Sequence, residues 1–179
     1  MYKVTGNHLH LVHTLKGHDS PVTCVDWAGG CDKIVSTASD KWCCVWVYDV
    51  ERQNWRAQSV QLRQRSAGAI HWSPREDKFV ITSSSGLNLC HFETFYMYWW
   101  CRYIPIEDPS TPFTAAKLNC VCWHPDNILV GCGGMDTKVR VFSTYHPADS
   151  SNMKGLNTDI PFGTMVFSRR ANGWINTIR

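Results

Sequence analysis

The sequence lacks long hydrophobic runs and clusters of basic residues. No apolar stretch approaches the roughly 18 residues that a membrane-spanning helix requires, so we expect no membrane partner. Lys and Arg number 18 against 15 Asp and Glu, and no run of five basic residues occurs. Because nucleic-acid binding depends on concentrated positive charge, this balance argues against a nucleic-acid partner. The first 13 residues also lack the continuous apolar segment of a signal peptide.

Motifs of catalysis and metal binding are missing as well. There is no Gly-rich phosphate loop, no pair of catalytic carboxylates and no Ser-His-Asp order. His8, His10 and His13 alternate along one segment without a Cys or carboxylate at ligand spacing, which favours solvent-facing strand histidines. The Cys-x-Cys-Trp-His run at 120–124 is interpreted as buried thiols beside a core Trp. The sequence therefore predicts no enzyme, no cofactor and no metal site.

The nine cysteines are odd in number, and most lie in strand-like segments. Without a signal peptide, they are expected to be reduced thiols that act as small hydrophobic side chains. The expected localisation is therefore cytoplasmic.

Tryptophan, in contrast, is abundant, at nine of 179 residues, and favours β structure over a helical bundle. Trp27, Trp72 and Trp123 each close an alternating segment, at intervals of 45 and 51 residues. A turn, a second strand-like segment and a third one ending on an aromatic residue follow each Trp. The residues 13 positions after each Trp are Asp40, Ser85 and Asp136. The aromatic residues that end each third segment are Trp46, Phe92 and Phe142. Three copies in one register indicate an internal repeat.

A repeat of this length, with three strands and a linking fourth, is typical of β-propeller blades. Each blade buries its two faces against its neighbours. We predict an all-β fold, an arc of about three four-stranded blades with a partial strand at each end, not a closed ring. The predicted boundaries are 15–59 for the first blade, 60–103 for the second, 104–144 for the third, and 145–179 for a linker and the start of a fourth.

Both ends of the chain carry strand-like segments outside the three predicted blades. Residues 8–15 are interpreted as the outer strand of a blade whose inner strands would precede Met1, and residues 173–179 as the start of a fourth blade. Such an arc would expose an apolar blade face at each end. Loops are predicted at 108–113 and 145–163, and the length of the second suggests an excursion or a partner contact.

The first repeat resembles the WD-repeat family, with Gly17-His18 before the first strand, Ser36 in the second, Asp40 in the next turn and Trp46 in the third. The resemblance implies a hydrogen-bonded tetrad that runs from Trp46 through Ser36 and His18 to Asp40. The other two repeats lack the full set, so we expect packing to hold them. The predicted blade core anchors are Trp27, Trp72, Phe92, Trp123, Asp136 and Phe142.

Longer stretches resemble a narrower family, the WD-repeat subunits (subunit 1) of the actin-related protein 2/3 complex. The resemblance covers about residues 15–179 and is most specific in the "IPFGTMVF" stretch at 160–167. It implies a non-catalytic structural subunit of the actin cytoskeleton that supports branched filament nucleation. The implied partners are actin-related proteins, companion subunits and, less directly, actin filaments. The candidate partner contacts are Trp99, Trp100, Pro161 and Phe162.

Three alternatives remain open at the level of sequence. A generic WD-repeat adaptor of another assembly would share the fold but bind unrelated partners. An enzyme or metalloprotein would use the Cys and His content, notably Cys120 and His124. RNA binding would use the aromatic run at 95–100 to stack single-stranded bases.

Overall fold

The computed structural model describes residues 1–106, 117–145 and 160–179. The predicted loop at 108–113 lies outside these residues, as does most of the predicted loop at 145–163. Within the described ranges the chain forms fourteen β-strands and no helix. The strands are β1 (Tyr2–Thr5), β2 (His8–Leu11), β3 (Val22–Ala28), β4 (Lys33–Ala38), β5 (Trp42–Asp49), β6 (Asn54–Gln61), β7 (Ser66–Trp72), β8 (Lys78–Ser83), β9 (Gly86–Glu93), β10 (Tyr98–Pro105), β11 (Leu118–Trp123), β12 (Leu129–Gly134), β13 (Lys138–Ser143) and β14 (Met165–Arg170).

Twelve of these strands form three four-stranded antiparallel sheets, each a meander in chain order. The first sheet is β3-β4-β5-β6, the second β7-β8-β9-β10 and the third β11-β12-β13-β14. The described strands do not close a ring. The predicted all-β fold, a partial arc of four-stranded sheets, is confirmed.

The second strands of the sheets show why the residues on both faces of a strand are apolar. All six residues of β8 are buried, and five of the six residues of β4 are buried. Since alternate residues of a strand point to opposite faces, burial of both parities requires a cover on both faces of the sheet. The sheets provide this cover for one another, so Val, Ile, Cys and Phe occur at successive positions instead of alternating with polar residues.

Two hydrophobic cores join the sheets. The first lies between the first and second sheets, where Val35 and Val45 meet Phe79 and Ile81, all fully buried. The second lies between the second and third sheets, and its buried members are Val80, Leu87, Leu89, Ile104, Leu118, Val121, Trp123, Val130, Cys132 and Phe142. Val80 and Ile81, neighbours on β8, therefore belong to different cores. This alternation makes the second sheet the middle layer of the stack.

The strand-end tryptophans do not share one environment, which corrects the prediction that all three are core anchors. Trp72 and Trp123 are 5% and 7% exposed, whereas Trp27 is 53% exposed. Each Trp pairs with the second strand of its own sheet and lies on the face directed towards the preceding sheet. No four-stranded sheet of the described residues precedes the first one. Trp27 therefore lies on an open face, edge-on to Trp55 at 6.2 Å between ring centroids.

The N-terminal segment also differs from its prediction. Its strand is His8–Leu11 rather than 8–15, and it pairs with Tyr2–Thr5 in a separate two-stranded hairpin. All eight residues of this hairpin are exposed. Residues on either side of the hairpin pack on the open face of the first sheet, where Met1 and Leu15 contact the small core of Ile34, Cys44 and Trp46.

The third sheet extends beyond the predicted boundary at 144. Its outer strand is β14, which pairs with β13 and lies in the segment that the sequence placed in a linker. Residues 173–179 form no strand, but they lie along the same sheet. The Ile175 N–H donates to the Gly134 carbonyl at 3.0 Å. A Cβ at Gly133 would be 2.5 Å from the Ile175 side chain, so this close approach requires glycine.

We predict that Trp72→Ala destabilises the chain by about 3–5 kcal/mol, because it removes a buried aromatic ring from the first inter-sheet core. The matched control is Trp27→Ala, which removes the equivalent ring from an open face and should cost about 1 kcal/mol or less. Equilibrium unfolding in urea measures both. Equal losses for the two variants would contradict the inter-sheet role of Trp72.

Candidate functional site

The first sheet contains a chain of side-chain hydrogen bonds built from two strands and the preceding loop. Trp46 on β5 donates its indole N–H to the hydroxyl of Ser36 on β4 at 2.9 Å. The Nε2 atom of His18 lies 2.8 Å from the same hydroxyl. Gly17 packs against the Trp46 ring, where a Cβ would come within 2.9 Å of it. The arrangement satisfies two buried polar groups and fixes the loop before β3 to the sheet.

Asp40 does not complete the predicted tetrad. Its carboxylate accepts a hydrogen bond from the Trp42 backbone N–H at 2.8 Å, within its own turn. Among the described residues no hydrogen bond joins Asp40 to His18, so the network is a triad. A short Asp side chain two residues before a backbone N–H forms an Asx turn readily, and this local bond competes with the longer reach to the histidine.

The equivalent positions of the other two sheets use different chemistry. In the second sheet, the hydroxyl of Ser85 lies 2.6 Å from the hydroxyl of Tyr103. In the third, Asp136 and Arg140 form an ion pair of 2.5 Å whose side chains are only 7% and 3% exposed. Arg140 is absent from the residues predicted from the sequence, although a charged residue at the centre of the alternating run Lys-Val-Arg-Val-Phe is a signal of a buried ion pair.

Of the remaining predicted anchors, Phe142 is 3% exposed and belongs to the second inter-sheet core. Phe92 is half-buried and packs against the Trp99 ring at 5.3 Å between centroids. Both occupy the position that Trp46 holds in the first sheet, without its hydrogen bond to a serine.

Hydrogen bonds connect each sheet to the next at the strand ends. The Trp72 backbone N–H donates to the Asp26 carboxylate at 2.7 Å. One sheet further on, the Trp123 indole N–H donates to the His71 carbonyl at 3.0 Å. Asp26 and His71 each directly precede the strand-end Trp of their own sheet. The repeat therefore recurs in how the sheets contact each other as well as within each sheet.

The turns that follow these tryptophans are also linked. Gly30 donates its backbone N–H to the Glu76 carboxylate at 2.8 Å, and this bond lowers the pKa of Glu76. In the next pair of sheets, the Asn127 amide donates to Asp77 at 3.2 Å, and its carbonyl accepts the Arg75 backbone N–H at 3.2 Å. Asn127 is fully buried, so its hydrogen bonds satisfy an otherwise costly polar group.

An aromatic hairpin projects from the second sheet between β9 and β10. Its exposed side chains, with their exposed fractions, are Phe95 (84%), Tyr96 (67%), Met97 (71%), Tyr98 (48%) and Trp100 (49%). Phe95 meets Tyr96 edge-on at 5.0 Å, and Tyr98 meets Trp100 at 5.5 Å. We call these five residues the aromatic hairpin.

Trp99 does not belong to this surface, which corrects its prediction as a partner contact. Its side chain is 4% exposed and packs on Trp72, Phe79 and Phe92. The indole N–H donates to Gln58 of the first sheet at 3.0 Å. Since alternate residues of a strand point to opposite faces, this anchoring of Trp99 turns the neighbouring side chains outward.

The other two predicted partner contacts precede β14. Pro161 is exposed, whereas Phe162 is half-buried beneath the Arg102 guanidinium, 3.8 Å from the ring centroid. Phe162 lines a cavity of about 200 Å³ between the second and third sheets, together with Lys78 and His91. Phe162 therefore already has partners within the chain, and Pro161 is the more accessible of the two.

The residues weighed for metal or nucleophile chemistry are dispersed. His8 and His10 lie on the exposed hairpin β1–β2. Cys120 and Cys122 lie on β11 of the third sheet, where burial raises the pKa of both thiols. Within residues 1–106, 117–145 and 160–179, no three His, Cys, Asp or Glu side chains are grouped to hold a metal ion. The described part of the chain also contains no helix able to cross a membrane.

The chain is similar to known proteins that contain the same kind of repeat. The family model of the WD domain, G-beta repeat, matches residues 9–47 and 110–143. The chain is 32% identical to "Actin-related protein 2/3 complex subunit 1A-B" of Xenopus laevis, over 99% of its own length.

The chain belongs to the WD-repeat family of actin-related protein 2/3 complex subunit 1. Two further relatives are subunit 1 of Schizosaccharomyces pombe, 30% identical over 99% of this chain, and subunit 1A of Arabidopsis thaliana, 32% identical over 93%. The alignments cover 48%, 46% and 43% of the three relatives, so the chain spans about half the length of the curated relatives it matches. The resemblance expected from the sequence is confirmed.

We predict that Ser36→Ala in this WD-repeat chain costs about 1–3 kcal/mol, since it leaves the buried Trp46 indole N–H without an acceptor. Asp40→Ala removes only a bond within a turn and should cost about 1 kcal/mol or less. Urea unfolding of both variants tests this order. A larger loss for Asp40→Ala would show that the carboxylate acts through the histidine after all.

We also predict an acid-dependent contribution from Glu76. Because its folded pKa lies below its unfolded value, the carboxylate stabilises the fold above the unfolded pKa of about 4.3, and this contribution is lost as pH falls through the folded pKa. Glu76→Gln should therefore be less stable than wild type at neutral pH, and the difference should shrink as pH falls below about 4.3. Thermal unfolding at several pH values measures the gap, and Glu51→Gln, at an exposed hairpin position, is the control. A gap that does not change with pH would contradict this contribution.

Proposed function

We propose that the chain acts as a non-catalytic structural subunit that helps to assemble the actin-related protein 2/3 complex in the cytoplasm and so supports branched actin nucleation. The observation that carries the proposal is the similarity to subunit 1 over 99% of the chain. Actin-related proteins and companion subunits are the direct partners, and actin filaments are reached through the assembly. The stack of sheets suits this role, because a rigid scaffold can present variable loops without disturbing its cores.

We place a companion-subunit contact at the aromatic hairpin. Interface cores are enriched in Tyr, Trp, Phe and Met, and a few such side chains supply most of the binding energy. The anchored Trp99 holds the hairpin to the sheet, so the exposed rings are ordered before binding. Pre-ordered side chains lose less entropy on association.

The first sheet supplies an internal comparison for this assignment. Its equivalent hairpin, between β5 and β6, has Val50, Glu51, Arg52 and Gln53 in its loop. None of these four residues is aromatic and three are polar, so the turn geometry of the sheet does not demand aromatic side chains. The aromatic rings of the second sheet are therefore better explained by a contact with another protein than by folding.

The proposal predicts that the tagged chain captures actin-related proteins and other subunits of the complex from cytosol. Mass spectrometry and immunoblotting of the bound fraction identify them. The double variant Phe95→Ser with Met97→Ser should lower the capture about tenfold, because truncation of central apolar contacts costs that much affinity. Both side chains are highly exposed in the isolated chain, so the unfolding midpoint should stay unchanged.

The control is Val50→Ser, which changes an equally exposed side chain on the equivalent hairpin of the first sheet. It should capture as much as wild type. A wild-type chain that retrieves none of these proteins would refute the proposed function. A double variant that binds like wild type would refute only the contact at the hairpin.

A further inference from the structure

Three thiols meet where the first and second sheets are in contact. Cys90 on β9 and Cys101 on β10 are direct cross-strand partners. Cys43 on β5 of the first sheet belongs to the same inter-sheet core as Cys90, and both are fully buried. Burial, followed by the neighbouring thiols of Cys101 and Cys43, raises the pKa of Cys90. Nothing in the scaffold role requires three sulfur atoms at this point.

The hydrogen-bond pattern of the hairpin fixes the relation between Cys90 and Cys101. The Ile106 N–H donates to the Ser85 carbonyl at 2.9 Å, which makes those two residues a hydrogen-bonded pair. Antiparallel pairs alternate between hydrogen-bonded and non-hydrogen-bonded, and the register is unbroken from Pro105 to Tyr98. Cys90 and Cys101 therefore form a non-hydrogen-bonded pair.

The position of Pro105 supports this assignment of hydrogen-bonded and non-hydrogen-bonded pairs. Its partner is Gly86, and the alternation places that pair too in the non-hydrogen-bonded class, where a residue without an N–H fits. In such pairs the Cα atoms are about 4.5 Å apart and the side chains are closest. A disulfide requires Cα atoms about 4.4–6.8 Å apart, so the backbone already has the spacing for a Cys90–Cys101 bond.

The two thiols have different surroundings. Cys101 is partly exposed, and its thiol lies 3.7 Å from the Asn88 carbonyl oxygen. The hydrogen bond from Cys90, followed by the backbone N–H and charge of Arg63, lowers the pKa of Cys101, although burial opposes them. Burial raises the pKa of Cys90 well above its usual value. Cys101 is thus the accessible nucleophile, and Cys90 is a protonated thiol behind it.

We propose that Cys101 and Cys90 form an oxidation site, in which Cys101 reacts with a peroxide and Cys90 then closes a disulfide. The Cys101 thiolate attacks one peroxide oxygen, the O–O bond breaks, and the product is a sulfenic acid and hydroxide, which takes up a proton to become water. The Cys90 sulfur then attacks the sulfenic sulfur, its proton passes to the departing hydroxyl group, and a second water leaves. Two thiols lose two electrons in total, and one peroxide is reduced to two waters.

Other thiols of the chain provide the controls. Cys122 and Cys31 are also partly exposed, but the pKa of each is raised, chiefly by burial. If exposure alone decided reactivity, they would react as readily as Cys101. If thiolate character and a resolving partner decide it, Cys101 reacts first.

The test uses the full 179-residue chain, treated with hydrogen peroxide at one to a few equivalents and quenched with N-ethylmaleimide. No Lys or Arg lies between positions 78 and 102, so trypsin releases both cysteines in the single peptide 79–102. A Cys90–Cys101 disulfide lowers the mass of that peptide by two hydrogens and prevents its alkylation. Cys43 lies in the separate peptide 42–52, so any bond to it would appear as a cross-link between two peptides.

We expect the internally bridged peptide in wild type and its absence in Cys101→Ser. In Cys90→Ser the sulfenic acid of Cys101 should persist and be trapped by dimedone. Cys122→Ser should behave like wild type. Iodoacetamide labelling of the untreated wild type should modify Cys101 before Cys122 and Cys31, a result that needs no variant to fold.

The proposal is overturned by cross-linking through Cys43, by labelling of Cys122 or Cys31 ahead of Cys101, or by the absence of the internally bridged peptide from peroxide-treated wild type. It does not depend on the scaffold role, because each of these measurements is made on the isolated chain.

Discussion

The burial of one sheet face against the next is the interaction on which the structure depends. No single four-stranded sheet of this chain could cover both of its apolar faces, and β8, buried along its whole length, shows what two neighbours provide. The strand-end tryptophans make this stacking directional, because each one faces the preceding sheet. Trp72 and Trp123 are buried as a result, and Trp27, which has the same position in its own sheet, remains half-exposed.

Once stacking supplies the stability, the polar interior of each sheet is free to vary. The first sheet keeps a histidine–serine–tryptophan triad, the second pairs Ser85 with Tyr103, and the third buries the ion pair of Asp136 and Arg140. Each solution pairs polar or charged side chains with one another inside the sheet, while the residue types differ. A sequence motif for one solution therefore finds only the sheet that uses it.

The same separation explains where the two proposed sites lie. The aromatic hairpin and the thiol pair both occur on β9 and β10, whose inner residues hold the stack together while their outer residues and turn are exposed. Trp99 is the residue that links the two roles. By packing on Trp72 and Phe79, it fixes the strand on which the exposed rings and Cys101 are displayed.

The sequence alone determined the all-β class, the repeat and its family, because the aromatic spacing and the turn residues that specify them are local in the chain. It could not decide which strand-end Trp is covered, that Asp40 bonds within its turn, that Trp99 faces inward, or that β14 completes the third sheet. Three of these depend on a neighbour distant in sequence: a preceding sheet, the Gln58 acceptor on another sheet, and the edge left open by β13. The bond of Asp40 depends on the geometry that its own turn adopts in the folded sheet. Periodicity specifies the residues that share a face, whereas only the assembled sheets determine what covers that face.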